Sequence, residues 1–232
     1  MADPFAQALY DFHFDELQGP VLYRRGDETR EVSIDFYFDE VTAEGSGLES
    51  RLEGPLLDMG AGAGRFSLYF QDQFETVAIE RDELLVEVLR DRGVTDARRV
   101  DMFSLLEAFE TNRFESAIAV GTQVSLSRSM RGLRQFLRDL SYVTTPDATA
   151  VIDGYDPDHE TTKGKLDYYD DPSTGLAYRL LQIEYDGVLG EPWLYRLFTP
   201  DRFREAATDA GWEVVEVTYE PEHLYQLVLR KR

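Results

Sequence analysis

From Gly54 to Ser127, short apolar runs alternate with longer amphipathic stretches, the rhythm of β-α-β units around a parallel sheet. Pro55–Met59 predicts a buried strand and leads into a glycine-rich turn. Arg65 to Phe74 predicts a helix, with Phe66, Tyr69, Phe70 and Phe74 at helical spacing. Thr76–Glu80 reads as the next strand. Asp82 caps a helix whose Leu84, Leu85, Val88 and Leu89 face inward and which Gly93 ends. A short strand ending at Val100-Asp101, a helix near Ser104–Phe109, a strand Ser116–Val120, a helix over about Ser129–Tyr142 and a strand Thr149–Asp153 continue the pattern. Thr199-Pro200-Asp201 opens a helix that Gly211 stops. Trp212–Val217 and Leu224–Leu229 follow as strands too close for a helical crossover, so they should pair as a hairpin.

Two stretches depart from that rhythm. Val21–Tyr23 and Val32–Phe38 flank a polar turn, Arg25–Thr29; Tyr178–Tyr185 and Trp193–Phe198 flank Asp186–Gly190. Both predict antiparallel hairpins. One precedes the repeating core and one interrupts it after the fifth strand, so together they can cover the carboxyl ends of the sheet. The expected division is an N-terminal helix-and-hairpin lid segment, 1–53, and a core, 54–232, with a hairpin insertion at about 155–198.

Composition narrows the field. Hydrophobic residues at 43% and aromatics at 12% suffice for a core and exclude global disorder. No apolar run approaches the roughly 18 residues of a membrane helix. Met1–Phe5 lack the basic-then-apolar order of a signal peptide, so a cytoplasmic location is expected. Cysteine is absent, which excludes disulfides, thiolate metal sites and cysteine nucleophiles. Forty-five acidic residues face 24 basic ones, a formal charge of −21, and only three of the cations are lysine. Excess carboxylate with scarce lysine resembles the proteins of salt-accumulating halophiles. The same charge disfavours nucleic acid as a partner, because phosphate binding needs clustered cations.

The chemistry concentrates at Asp58-Met59-Gly60-Ala61-Gly62-Ala63-Gly64-Arg65, where a strand ends and a helix begins. Glycines there let the backbone turn sharply and admit a ligand against the main chain. The spacing is G-x-G-x-G. The dinucleotide register G-x-G-x-x-G fails, since Arg65 stands at its third glycine, and no Gly-Lys-Ser/Thr phosphate loop is present. Taken alone, the cluster is either a tight strand–helix turn or a ligand cradle. Two further acids stand in series with Asp58: Glu80 ends the second strand and Asp101 ends the third.

With that series the chain resembles class I S-adenosylmethionine-dependent methyltransferases of small-molecule type, from about Leu56 to the C-terminus. The resemblance includes the strand Ala150–Gly154 and the ending Phe198-Thr199-Pro200-Asp201…Gly211-Trp212. It implies an α/β fold: a seven-stranded, mostly parallel sheet, one strand reversed, with helices on both faces, here with antiparallel hairpins capping the active-site edge. It implies S-adenosylmethionine as cofactor, held by Asp58, Gly60, Ala61, Gly62, Gly64, Glu80, Arg81, Asp101, Met102 and Gly121. Asp58 would hold the methionine ammonium, Glu80 both ribose hydroxyls, and Asp101 the adenine amino group with Met102 beside the ring. Gly121 would line the methionine portion. Gly121-Thr122-Gln123 departs from the Gly-Asn-Ser often found there.

Other chemistry is thin. His13, His159 and His223 lack metal-ligand spacing, so no metal is expected, and no G-x-S-x-G elbow occurs. Asp153–Glu160 reads as a solvated acidic loop. Phe36-Tyr37-Phe38 and Tyr168-Tyr169 either wall a pocket or pack under a hairpin. If the acceptor needs a base, Asp153 and Tyr155 just past the fifth strand are the candidates. The expected function is methyl transfer to a small molecule. The alternatives are a non-catalytic domain that binds the cofactor as a sensor or scaffold and, more distantly, a nicotinamide oxidoreductase.

The charge predicts salt dependence. The Debye length falls from about 30 Å at 0.01 M salt to about 3 Å at 1 M, so carboxylate repulsion burdens the compact state mainly in dilute buffer. The melting temperature should climb steeply between low and molar potassium chloride; equal values at both extremes would mark the acidity as ordinary.

Overall fold

Residues 3–41, 47–219 and 224–232 are described in the computed structural model. Its main sheet follows from the apolar runs. β3 (Leu56–Met59) is buried along its whole length and lies between β4 (Thr76–Glu80) and β6 (Phe114–Ala119), parallel to both. The sheet continues through β5 (Ala97–Arg99) on one side, and through β7 (Thr144–Tyr155), β13 (Leu224–Lys231) and β12 (Trp212–Tyr219) on the other. β13 is antiparallel to both neighbours, so six strands share one direction and β13 is reversed.

Alternation along each strand assigns the two faces. Leu57 and Met59 face the cluster formed with α5 (Met130–Val143) and α7 (Pro200–Asp209), through Leu133, Phe136, Leu137, Phe203 and Ala206. Leu56 faces the other way, onto Phe70 of α2 (Arg65–Phe70). Ala78 of β4 packs on α3 (Glu83–Asp91) through Val86 and Leu89. Side chains with polar handles tie layers together: the buried Trp212 donates Nε1–H to the Leu137 carbonyl at 2.9 Å.

A second, six-stranded antiparallel sheet covers the carboxyl edge. Its centre is β9 (Leu176–Tyr185). One edge of β9 takes the returning arm, β10 (Val188–Leu189) and β11 (Trp193–Phe198). β1 (Val21–Arg25) and β8 (Tyr169–Asp170) also pair with β9, and β2 (Glu28–Val32) extends the sheet from β1. The two hairpins thus form one structure, joined at Leu22–Glu184 and Tyr23–Ile183. α1 (Pro4–His13) seals it: Ala6 and Leu9 pack with Val21, Leu181 and Ile183, and with Leu85 of α3.

Several expected boundaries shift. The first hairpin's second arm is Glu28–Val32, not Val32–Phe38. Arg25 pairs with Glu28 across a two-residue turn in which Gly26 takes φ +58°. Asp35–Tyr37 then forms a 3-10 turn, with Ile34 buried and Phe36 exposed. The helix expected to reach Phe74 ends at Phe70, and Phe74 returns by a turn to stack on Phe70 at 5.5 Å. Asp153–Glu160 is not a solvated loop: Asp153 and Asp156 are buried, and Asp156 accepts from the Tyr219 hydroxyl at 2.7 Å. His13 pairs with Asp91 at 2.7 Å, and His159 caps the short α6 (Glu160–Lys165). His223 lies outside the described residues.

The lid is clamped by Tyr185, whose hydroxyl donates to the buried Asp11 carboxylate at 2.7 Å and accepts the Gln18 N–H at 2.9 Å. Tyr185→Phe leaves Asp11 short of a donor, a loss of about 1–3 kcal/mol. Amide exchange in α1 and β1 should quicken by roughly 5-fold or more while β3 and β6 keep their protection; unchanged exchange in α1 would show that this clamp is idle.

Candidate active site

The site is built where β3 ends. Gly62 takes φ +58° and points its amide at Glu80, whose Oε1 accepts it at 2.9 Å; Glu80 Oε2 accepts the Arg81 N–H at 3.0 Å. A Cβ on Gly62 would meet nothing within 4 Å, so this face of the turn is open. Gly64 differs. At φ +86° it caps α2, and a Cβ there would stand 2.8 Å from Leu89 and 3.0 Å from Val94. Its need for glycine is packing and backbone conformation, and it does not line the cavity.

Asp58 sits one residue before the end of β3 on the α2 face, buried, where it accepts from Ser67 Oγ at 2.5 Å. Burial pushes its carboxyl up to about 7, opposed by the Ser67 hydrogen bond and reinforced by the nearby Glu80 charge. Burial likewise raises Glu80, against the pull of the Gly62 and Arg81 amides. Asp101 caps the 3-10 turn Met102–Ser104 by accepting the Phe103 N–H at 2.8 Å.

These groups share one cavity of about 560 Å³. Asp58, Gly60, Ala61, Gly62, Glu80, Arg81, Asp101, Met102 and Gly121 line it from the sheet side, and Tyr23, Phe36, Tyr37, Trp193, Leu194 and Tyr195 from the lid. Nine of the ten residues expected at the cofactor are therefore brought together, Gly64 being the exception. The two candidate bases are placed otherwise. Neither Asp153 nor Tyr155 lines the cavity. Asp153 is buried, with Oδ2 accepting the Gly121 N–H at 2.8 Å and Oδ1 the Thr122 N–H at 2.6 Å; burial raises it to about 6 against those bonds. It holds the turn after β6, where Thr122 carries φ +60°.

The lid residues were hard to read from sequence. Of the Phe36–Phe38 cluster, Phe36 and Tyr37 line the cavity while Phe38 packs on Phe12 and under Arg92. Tyr168 donates to the Pro157 carbonyl at 2.6 Å and lines nothing, and Tyr169 stacks on Tyr178. Gln123, which replaces the expected serine, sits close over Gly60, where a Cβ would come within 2.7 Å of its amide carbon. Among the described residues no group of three or more His, Asp or Glu is placed to hold a metal, and no helix is long and apolar enough to cross a membrane.

No family model and no curated protein matches the chain. Solved structures do. A SAM-dependent methyltransferase from Bacteroides fragilis, in complex with S-adenosyl-L-homocysteine, superposes with a TM-score of 0.80 at 23% identity, over 99% of this chain and 95% of that one. The chain has the fold of these methyltransferases. The CcbJ methyltransferase of Streptomyces caelestis matches with a TM-score of 0.60 at 17% identity, over 76% of this chain and 83% of its own. The 1,6-didemethyltoxoflavin-N1-methyltransferase of Burkholderia thailandensis, holding 1,6-didemethyltoxoflavin and S-adenosylhomocysteine, matches with 0.52 at 19%, over 76% and 70%.

Asp58 and Asp153 carry a pH signature. Unfolded aspartates titrate near 4, so between about 4 and 7 the folded chain holds protons that the unfolded chain has released. Stability from this source is full below about pH 4 and is lost as pH rises through the folded values. Asp58→Asn, which keeps the Ser67 contact, should gain on the wild-type unliganded protein as pH rises from 5 to 8, by on the order of 3 kcal/mol. A gap in thermal stability that stays constant over that range would refute the assignment.

Proposed function

We propose that the chain binds S-adenosylmethionine along the carboxyl ends of β3, β4 and β5 and transfers its methyl group to a small molecule enclosed by the lid. The observation that carries this reading is Glu80. Each of its oxygens is fixed by a backbone amide and keeps a further lone pair, and the residue lines the cavity beside the open face of Gly62. A fixed carboxylate with two parallel acceptor sites suits a vicinal diol. The donor set fits the rest of the group as well. Asp58 would hold the methionine ammonium, a cation that offsets the cost of ionising a buried carboxyl. Asp101 would accept from the adenine amino group, with Met102 against the ring and Gly121 along the methionine chain.

When bound, the cofactor supplies an electrophilic methyl on a sulfonium that leaves as a neutral thioether. The protein's task is then alignment and exclusion of water. α1, β1 and β2 of the N-terminal segment, with β8 to β11 of the insertion at about 155–198, form the lid that provides it, through the Tyr23, Tyr37, Trp193 and Tyr195 wall. Asp153 acts as a positioning residue, since both of its oxygens hold the Gly121–Thr122 turn. The small size of the acceptor is supported by the enclosure, by the net charge of −21, and by the Burkholderia neighbour with its bound 1,6-didemethyltoxoflavin.

Calorimetry with S-adenosylhomocysteine is the direct test. Glu80→Ala should weaken binding by roughly 1.5–3 kcal/mol, the range for hydrogen bonds to charged groups. Gly62→Val should weaken it further, because a branched side chain fills the open face and strains a left-handed backbone. Unchanged affinity in both variants would sink the cofactor assignment. Transfer of labelled methyl to a metabolite mixture separates an enzyme from a domain that only binds the cofactor.

A further inference from the structure

The inward face of β9 consists of Ala177, Arg179, Leu181, Ile183 and Tyr185, so one charge interrupts an otherwise buried, mostly apolar row. A charge in such a row is paired in most proteins. Arg179 is not. Its Nε is buried without a hydrogen-bond partner, and no carboxylate pairs with its guanidinium among the described residues. This is unusual in a chain with 45 acids and 24 bases, where neighbouring arginines of the lid find acids: Arg24 pairs with Glu184 at 2.5 Å and Arg196 with Asp171 at 2.5 Å.

Phenols surround Arg179. Tyr195 is its direct partner across the β9–β11 ladder and shares its face. Tyr23, opposite Ile183, shares that face too. The Arg179 charge reaches Tyr23, Tyr155 and Tyr195, partly offsetting the burial that raises all three. Tyr37 joins by a hydrogen bond with Tyr23. Phenols are protonated at neutral pH, so these hydroxyls can donate. Tyr23, Tyr37 and Tyr195 line the cavity; Arg179 is not among the lining residues, and its charge acts there through Tyr23 and Tyr195. Asp3, the acid lining this end, is engaged as the cap of α1, accepting the Phe5 N–H at 2.9 Å.

We propose that Arg179 and the phenols of Tyr23, Tyr37 and Tyr195 form an anion subsite, and that the methyl acceptor carries a carboxylate or phosphate that docks there. The phenol O–H groups supply the donors and the guanidinium supplies the charge. An overall field from 21 net negative charges repels an anion, so a local, uncompensated cation is what such an acceptor needs. The aromatic wall of Phe36 and Trp193 would hold its apolar part.

This inference rests on the methyltransferase reading, so the experiment begins with saturation by S-adenosylhomocysteine; failure there overturns that reading. With the saturated protein, benzoate and phenyl phosphate are compared by calorimetry with benzyl alcohol and benzylamine. At least one anion should bind roughly 10-fold or more tightly than the two non-anionic probes, the scale of a charge-assisted hydrogen bond. The better of the two identifies the acceptor's group as carboxylate or phosphate. Arg179→Gln should erase the preference, and Arg179→Lys should restore part of it, with S-adenosylhomocysteine affinity unchanged in both. Should Arg179→Gln fail to fold, Tyr195→Phe should weaken the anion and spare benzyl alcohol. Equal binding of all four probes, no anion binding, or a preference that survives Arg179→Gln would overturn the subsite while leaving the cofactor reading intact.

Discussion

One carboxylate holds the loop of a neighbouring strand in place, and the arrangement of the site depends on it. Glu80 closes β4 and accepts the amide of Gly62 in the turn after β3. That bond links the ends of two parallel strands, which are already fixed to each other at Met59–Ile79. The turn is left-handed at Gly62, so its amide points sideways into the carboxylate and its missing side chain leaves the upper face clear. The helix that follows starts at Gly64, wedged against Leu89 and Val94. From this one restraint come the open cradle, the direction of α2, and the placing of Ser67 over Asp58.

Acids recur as handles in the same way. Asp153 grips the turn after β6 by two amides and Asp101 the turn after β5 by one. Each strand end facing the cavity is thus stiffened by a carboxylate that accepts backbone N–H groups. Such bonds favour the ionised form, while burial opposes it; for Asp58 and Asp153 burial wins in the unliganded chain. The balance leaves Asp58 able to ionise only at the cost of a buried charge, a cost that the methionine ammonium of the proposed cofactor would offset.

The lid differs in chemistry. Its inner surface presents the phenols of Tyr23, Tyr37 and Tyr195 together with Asp3, whereas the sheet side carries Asp58, Glu80, Asp82 and Asp101 along with Arg65, Arg81 and Arg128. Under the proposed function, the acids would meet the cofactor's ammonium, diol and amine, and the phenols would face the acceptor. In a chain of strongly negative charge, acids at the sheet side follow from composition, whereas the phenols of Tyr23 and Tyr195 reach one face only through the pairing of β1 and β11 with β9.

What the sequence determined was local in origin. Strand and helix order, the hairpin of β12 with β13 and the position of Glu80 follow from periodicity and from glycines that punctuate it, since burial of one face and a sharp turn each leave a mark within a few residues. What escaped it was set by contacts between distant segments. Gly64 resembles Gly62 in the chain, and only the approach of Leu89 and Val94 shows that one glycine serves packing and the other leaves space. Asp153 reads as a candidate base until the turn after β6 folds over it and occupies both oxygens. Phe36, Tyr37 and Phe38 are three equivalent aromatics in sequence, separated only when a 3-10 turn directs two of them to the cavity. Tyr23 and Arg179 lie more than a hundred and fifty residues apart, and pairing of β1 with β9 brings them to one face. Periodicity records which side of an element is buried; tertiary structure alone decides what it is buried against.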